Sequence, residues 1–220
     1  MKLDIFSHEV KSYIASTKGV LSLLENTNLS PEQLDYIKLL KSNNESTLAF
    51  LNNNLYSDRI DNSSIDLVED FFNLHNLIEE ITSLYAFQVK QKDIQLEYKI
   101  EENVPKILYA DEQKIRQILL NLFNNTVRFT TKGLIFLTIS MLAEDTDKQN
   151  IGIILSDSGP GVAKNVKLFH KYSTTRNGTG LGLYICRKLV ELMGGNINYK
   201  YDKGATFYFD IWINKNPAQY

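Results

Sequence analysis

Two glycine clusters and one carboxylate mark where this chain could do chemistry. The run Ile151-Gly-Ile-Ile-Leu-Ser-Asp157-Ser-Gly159-Pro-Gly161 ends an apolar stretch on Asp-x-Gly-x-Gly. That is the pattern of a buried strand delivering one carboxylate to a pocket wall. Further on, Gly178-Thr179-Gly180-Leu181-Gly182-Leu183 runs into an apolar helical pattern. Glycines at a helix N-terminus let backbone amides come close to a ligand. Between Gly161 and Gly178 stand Lys164, Lys167, Lys171 and Arg176, with no Asp or Glu. A cationic, glycine-bounded loop in a chain of net charge −2 points to an anionic ligand, most simply a nucleotide phosphate. Upstream, Asn121 and Asn125 lie four apart amid Ile115, Ile118, Leu119, Leu122 and Val127. On a helix they share a face, and two amides there need partners, whether within the core or on a ligand.

The elements that must position these groups fall into two parts. Composition is that of an ordinary soluble protein, with 43% hydrophobic and 23% charged residues over 220 positions. The small net charge gives no broad field for nucleic acid or membrane. Cys186 is the only cysteine, so no intrachain disulfide forms, which fits a reducing, cytoplasmic setting. No apolar run approaches the roughly 20 residues that span a bilayer. From residue 3 to about residue 60, Gly19 and Pro31 are the only helix breakers. Leu3, Phe6, Val10, Tyr13, Thr17, Val20 and Leu24 form one seam, and Leu34, Ile37, Lys41, Asn44, Leu48, Leu51 and Leu55 another. Ser30-Pro31-Glu32-Gln33 reads as a capping box between the two helices. A lone pair of helices buries both seams poorly, so the expected assembly is a four-helix bundle formed by a homodimer.

After the polar stretch Asn52–Ser64 the pattern becomes mixed. Strands are expected over Asp66–Phe72, Ile94–Ile100, Ile107–Ala110, Gly133–Leu142, Asn150–Asp157, Asn196–Tyr201 and Ala205–Ile213. Helices are expected over Leu74–Gln91, Asp111–Phe129 and Leu181–Met193. The predicted fold is an all-α hairpin, residues 1–62, followed by an α+β sandwich, residues 63–216. In the sandwich a mixed sheet carries its three helices on one face.

Phe6-Ser-His8-Glu9-Val-Lys-Ser12 resembles the phospho-acceptor box of bacterial sensor histidine kinases. The helix containing Asn121, Asn125 and Arg128 resembles the N box of the GHKL ATP-binding superfamily, in its histidine-kinase version. Asp157-x-Gly159-x-Gly161, the aromatic pair Phe169 and Tyr172, the Gly178–Gly182 cluster and Gly204-Ala-Thr206-Phe207 follow in the order of that family. The resemblance runs from residue 6 to residue 207, nearly the whole chain. It implies ATP and Mg²⁺ as ligands, with Asn125 holding the metal and Asn121, Arg128 and Lys171 near the phosphates. Asp157 would accept a hydrogen bond from the adenine amino group, in a pocket shaped by Gly159 and Gly161. Gly178, Thr179, Gly180, Leu181 and Gly182 would meet the phosphates, and Thr206 would close the site.

The resemblance further implies that His8 accepts the phosphoryl group and passes it to an aspartate on the receiver domain of a response regulator. An imidazole exposed beside a carboxylate suits this: one ring nitrogen attacks while Glu9 takes or polarises the proton on the other. Ser12 stands where a Thr or Asn helps dephosphorylate the regulator in that family, and it reads equally well as a plain surface residue. The chain departs from the family at Tyr13, where a proline is common, and at Thr126, where Ala is usual. Two alternatives stand beside the kinase: a degenerate kinase acting as scaffold or phosphatase of its regulator, and a hydrolytic GHKL ATPase. The closeness of His8 to Met1 suggests a piece of a longer protein, with any sensor domain or membrane anchor elsewhere. The cationic lid from Val162 to Asn177 is expected to order on nucleotide binding.

Overall fold

The computed structural model describes residues 2–61, 65–161, 168–173, 180–201 and 204–215. The chain divides into two compact units, Met1–Ile65 and Asp66–Tyr220. The first holds helices α1 (Lys2–Glu25) and α2 (Pro31–Asp61). Their junction is the capping box read from sequence: the Gln33 amide donates to Ser30 Oγ at 3.2 Å, and the Ser30 amide to Gln33 Oε1 at 2.9 Å. The helices run antiparallel, with the Asn44 side chain donating to the Ile14 carbonyl at 3.0 Å and Lys41 paired with Glu25 at 2.5 Å.

The α1 seam divides differently from the expectation. Among the described residues Ile14 and Leu21, together with Ile37 of α2, are the buried hydrophobic ones, whereas Tyr13, Val20 and Leu24 stay 72%, 53% and 41% exposed. A 3–4 repeat covers a stripe wider than one neighbouring helix can bury, so the stripe splits between neighbours. The α2 seam is closer to expectation, since Ile37, Lys41 and Asn44 do meet α1.

The second unit runs β1 (Asp70–Asn73), α3 (Leu74–Gln91), β2 (Ile94–Ile100), β3 (Ile107–Ala110), α4 (Glu112–Phe129), β4 (Gly133–Glu144), β5 (Lys148–Asp157), α5 (Gly182–Leu192), β6 (Ile197–Tyr201) and β7 (Ala205–Asn214). The strands form one mixed seven-stranded sheet, ordered β1-β3-β7-β5-β4-β2, with β6 beside β7. Only β2 and β4 pair in parallel; the other pairs are antiparallel. Alternation sets the layers. Ile135, Leu137 and Ile139 of β4, Ile151, Ile153 and Leu155 of β5, and Phe207, Phe209, Ile211 and Ile213 of β7 are buried on one face. The helices complete that core with Ile78 and Ile81 of α3, Ile118 and Leu122 of α4, and Ile185 and Leu189 of α5.

One expected strand is shorter than the pattern suggested. Residues 66–69 are irregular because the Val68 amide is taken by the Asp111 side chain, Oδ2 at 2.9 Å, not by a ladder partner. Asp111, only 2% exposed, also N-caps α4 through the Lys114 amide at 3.0 Å.

Candidate nucleotide-binding site

Strand β5, flanked by β4 and β7 in the sheet, ends at Asp157. There the ladder stops and the carboxylate takes over: the Gly159 amide donates to its Oδ1 at 2.8 Å and the Ala205 amide at 3.2 Å. Burial pushes the Asp157 carboxyl above its ordinary range, and these amide bonds act in the opposite direction. The surroundings leave no room for larger residues. A Cβ on Gly159 would sit 2.8 Å from Asp157 Oδ1 and 3.2 Å from Thr130 Oγ1. One on Gly204 would fall 1.7 Å from the Asp157 carbonyl oxygen. Gly161 has φ +68, and a Cβ there would strike the ring of Tyr201 at 2.3 Å. Ser158 ties this strand end to the start of β4, accepting from the Leu134 amide at 2.9 Å and donating to the Lys132 carbonyl at 3.0 Å.

Helix α4 carries the amides. Asn121 and Asn125 are both half-buried. Asn121 Oδ1 lies 3.6 Å from where a Cβ on Gly182 would stand, so the side chain faces the first residue of α5. Its Nδ2 is buried, makes no well-formed hydrogen bond among the described residues, and has the Cys186 thiol as a weak polar neighbour. A buried amide with so weak a partner, facing the start of a glycine-opened helix, fits a polar ligand that completes it. The N-cap of α5, Leu181, is buried and has no side chain to cap the first turn, as a phosphate-facing helix start requires. Behind this junction the Cys186 thiol donates to the Ile118 carbonyl at 3.7 Å, and burial pushes it up to about 12, which keeps it protonated. Arg128 is exposed, its guanidinium 5.4 Å from the Phe129 ring centroid.

The aromatic pair sits in unusual backbone: Phe169 and Tyr172 have φ of 64° and 60°. Gly180, at φ +66, would place a Cβ 2.5 Å from the Tyr172 carbonyl carbon, so the aromatic turn packs on the glycine cluster. Lys171 Nζ lies 5.6 Å from the Tyr172 ring and 6.0 Å from that of Tyr184 in the first turn of α5.

Asp157 and Gly159 thus form one cluster, Asn121 and Gly182 a second, and Gly180 with Tyr172 and Lys171 a third. Thr206 does not join the first cluster. It pairs with Ser156, and its neighbours Ala205 and Phe207 are the buried ones, so its side chain points to the opposite face of the sheet from Asp157. Gly178, Thr179 and the lid positions 162–167 and 174–177 lie outside the described residues. In the other unit His8, Glu9 and Ser12 follow one another on α1; Ser12 is exposed, and the side chains of His8 and Glu9 are outside the described set. Nothing in the residue types hinted at the Ala205 amide, since a backbone donor leaves no trace in residue type. Thr130 and Ser158 were visible only as small polar residues flanking the motifs.

Residues 110–215 match the family model of histidine kinase-, DNA gyrase B- and HSP90-like ATPases. The chain is similar to the signal transduction histidine-protein kinase BarA of Escherichia coli strain K12, 29% identical over 96% of this chain and 24% of that one. Among solved structures, full-length ShkA in complex with AMPPNP superposes at a TM-score of 0.79 with 30% identity, over 97% of this chain and 46% of ShkA. The catalytic domain of histidine kinase ThkA, nucleotide-free, matches at a TM-score of 0.55 and 30% identity, over 68% of this chain and 99% of that domain. The chain spans about a quarter of the length of BarA.

Proposed function

Since this chain belongs to the sensor histidine kinase family, we propose that it binds ATP with Mg²⁺, transfers the γ-phosphoryl group to His8, and hands it to an aspartate of a response-regulator receiver domain. The observation that carries this reading is Asp157, held by two backbone amides, together with the half-buried Asn121 amide facing the α5 start. The first suits a base and the second a phosphate. Asp157 accepts from the adenine amino group, and Gly159 and Gly204 keep side chains out of the way. Asn121, Arg128 and Lys171, with the amides from Gly178 through Gly182, neutralise and orient the phosphates. The side-chain oxygen of Asn125 would hold Mg²⁺, which when bound would neutralise charge on the phosphate oxygens. His8 attacks in line, with Glu9 drawing the proton from the far ring nitrogen.

Hydrolysis is the weaker reading. A water-activating ATPase of this superfamily carries a Glu four residues before the metal-binding Asn, and here that position is Asn121, which is no general base. Two further expectations follow the kinase reading. The exposed Tyr13, Val20 and Leu24 stripe of α1 supports a homodimeric four-helix bundle. We place this part of the chain in the cytoplasm, where ATP and a receiver domain would meet it; among the described residues no helix is long and apolar enough to cross a membrane. Incubation with γ-labelled ATP and Mg²⁺ tests the proposal. Acid-labile, alkali-stable label on the protein, absent from His8→Gln, is the expected result. Phosphate release without labelled protein would overturn it in favour of the ATPase. Regulator dephosphorylation that needs Ser12, without label, would favour the phosphatase.

A further inference from the structure

The carbonyls ending α4 converge on a side chain from another element. Lys92, the C-cap residue of α3, extends its ammonium to the Val127 carbonyl at 2.6 Å, to that of Arg128 at 3.3 Å and to that of Thr130 at 3.4 Å. A helix C-terminus gathers partial negative charge on carbonyls without intrahelical partners, and a cation placed among them both satisfies and holds them. α4 ends in no glycine cap; its C-cap is Thr130, in extended conformation. The lysine supplies the closure that the local sequence lacks.

What it closes is one side of the Asp157 pocket. Thr130 is fully buried, and its Oγ1 and the Phe129 carbonyl lie 3.2 and 3.4 Å from the point where a Gly159 Cβ would sit, beside Asp157 Oδ1 at 2.8 Å. Lys92 holds the carbonyls on both sides of Phe129, so the Phe129 carbonyl is left facing Gly159. The neighbouring turn is tied down in the same direction. Gly133 donates to the Asp93 carbonyl at 3.4 Å, β2 then runs parallel to β4 from Ile94 and Gly133, and Ser158 bridges Lys132 and Leu134. From Lys92 to Asp157 there is a continuous chain of hydrogen-bonded backbone.

We propose that Lys92 is a positioning residue for base recognition: by capping α4 it sets the Thr130–Phe129 edge against Asp157, and so the fit of adenine. The proposal rests on the nucleotide reading above, but it separates base from phosphate. Of the groups assigned to the phosphates, Asn121 and the α5 start lie two turns further back along α4, and Arg128 alone shares its backbone with the Lys92 contact.

The test is equilibrium binding of ATP and of inorganic tripolyphosphate to the whole chain, as wild type, Lys92→Met and Lys92→Arg. Lys92→Met should weaken ATP about fivefold or more, the scale of one lost terminal charge–dipole contact, and weaken tripolyphosphate much less, through Arg128 alone. Lys92→Arg, which keeps a cation among the carbonyls, should recover most of the loss. Equal weakening of both ligands would mean a general loosening of the fold and overturn the proposal, as would unchanged ATP binding in Lys92→Met. A wild-type protein that binds tripolyphosphate but not ATP would remove the base-reading role of Asp157, and the proposal with it.

Discussion

Asp157 shows how one side chain can serve the ligand at the expense of the empty fold. Its carboxyl is half-buried, accepts two backbone amides, and lies above its ordinary range because burial disfavours the charge. A carboxyl whose folded pKa exceeds its unfolded value favours the fold while protonated, and that contribution is lost as pH rises through the folded value. At neutral pH the ionised Asp157 therefore costs the nucleotide-free protein stability. Asp157→Asn should melt at a higher temperature than wild type without nucleotide, yet gain nothing from ATP; thermal melts with and without nucleotide check both halves. In wild type, ATP affinity should fall as pH drops through that raised value, since the protonated carboxyl no longer accepts freely, and calorimetry across pH would record it. The carboxylate itself was legible in the sequence, because an apolar strand pattern ending on Asp-x-Gly-x-Gly has few other uses. Its holders were not. The Ala205 amide comes from a strand 48 positions away, and side-chain identity says nothing of backbone donors.

At the scale of elements, periodicity placed all three helices and most strands of the second unit, since each has one buried and one exposed face. It failed where a side chain replaced a ladder. Asp111 holds the Val68 amide, N-caps α4 through Lys114, and forms an ion pair with Lys114 Nζ at 3.3 Å. That convergence made β1 start late and fixed the start of the helix bearing Asn121 and Asn125. Asp111→Ala strands the part-buried Val68 amide and one helix end together, so it should destabilise the second unit by about 1–2 kcal/mol. A urea unfolding midpoint that moves without a change in slope would be the measurement. Thr206 was misplaced for a related reason: the motif fixed its position in the chain, but strand register, through Ser156, turned its side chain to the other face. A one-residue step along a strand reverses the side, and no spacing argument resolves it.

For the whole molecule, the surface that bears on assembly is the stripe Tyr13, Val20 and Leu24 of the first unit, exposed while Ile14 and Leu21 close the hairpin. The sequence showed the stripe but could not say that two neighbours share it, since a helix's partners are set by tertiary arrangement. If a second copy covers it, Val20→Glu should shift the protein from dimer to monomer in sedimentation while the second unit still binds ATP. Phosphorylation would then separate from nucleotide binding, as expected if the acceptor and the ATP site lie on different units. The central claim is that the γ-phosphoryl group of ATP ends on one particular imidazole, and the chain has only three histidines, His8, His75 and His170. Peptide mapping by mass spectrometry at neutral to alkaline pH, after incubation with ATP and Mg²⁺, tests that most directly. The account predicts phosphate on the peptide carrying His8 and on neither of the others; phosphate on His75 or His170, or on no histidine at all, would contradict it.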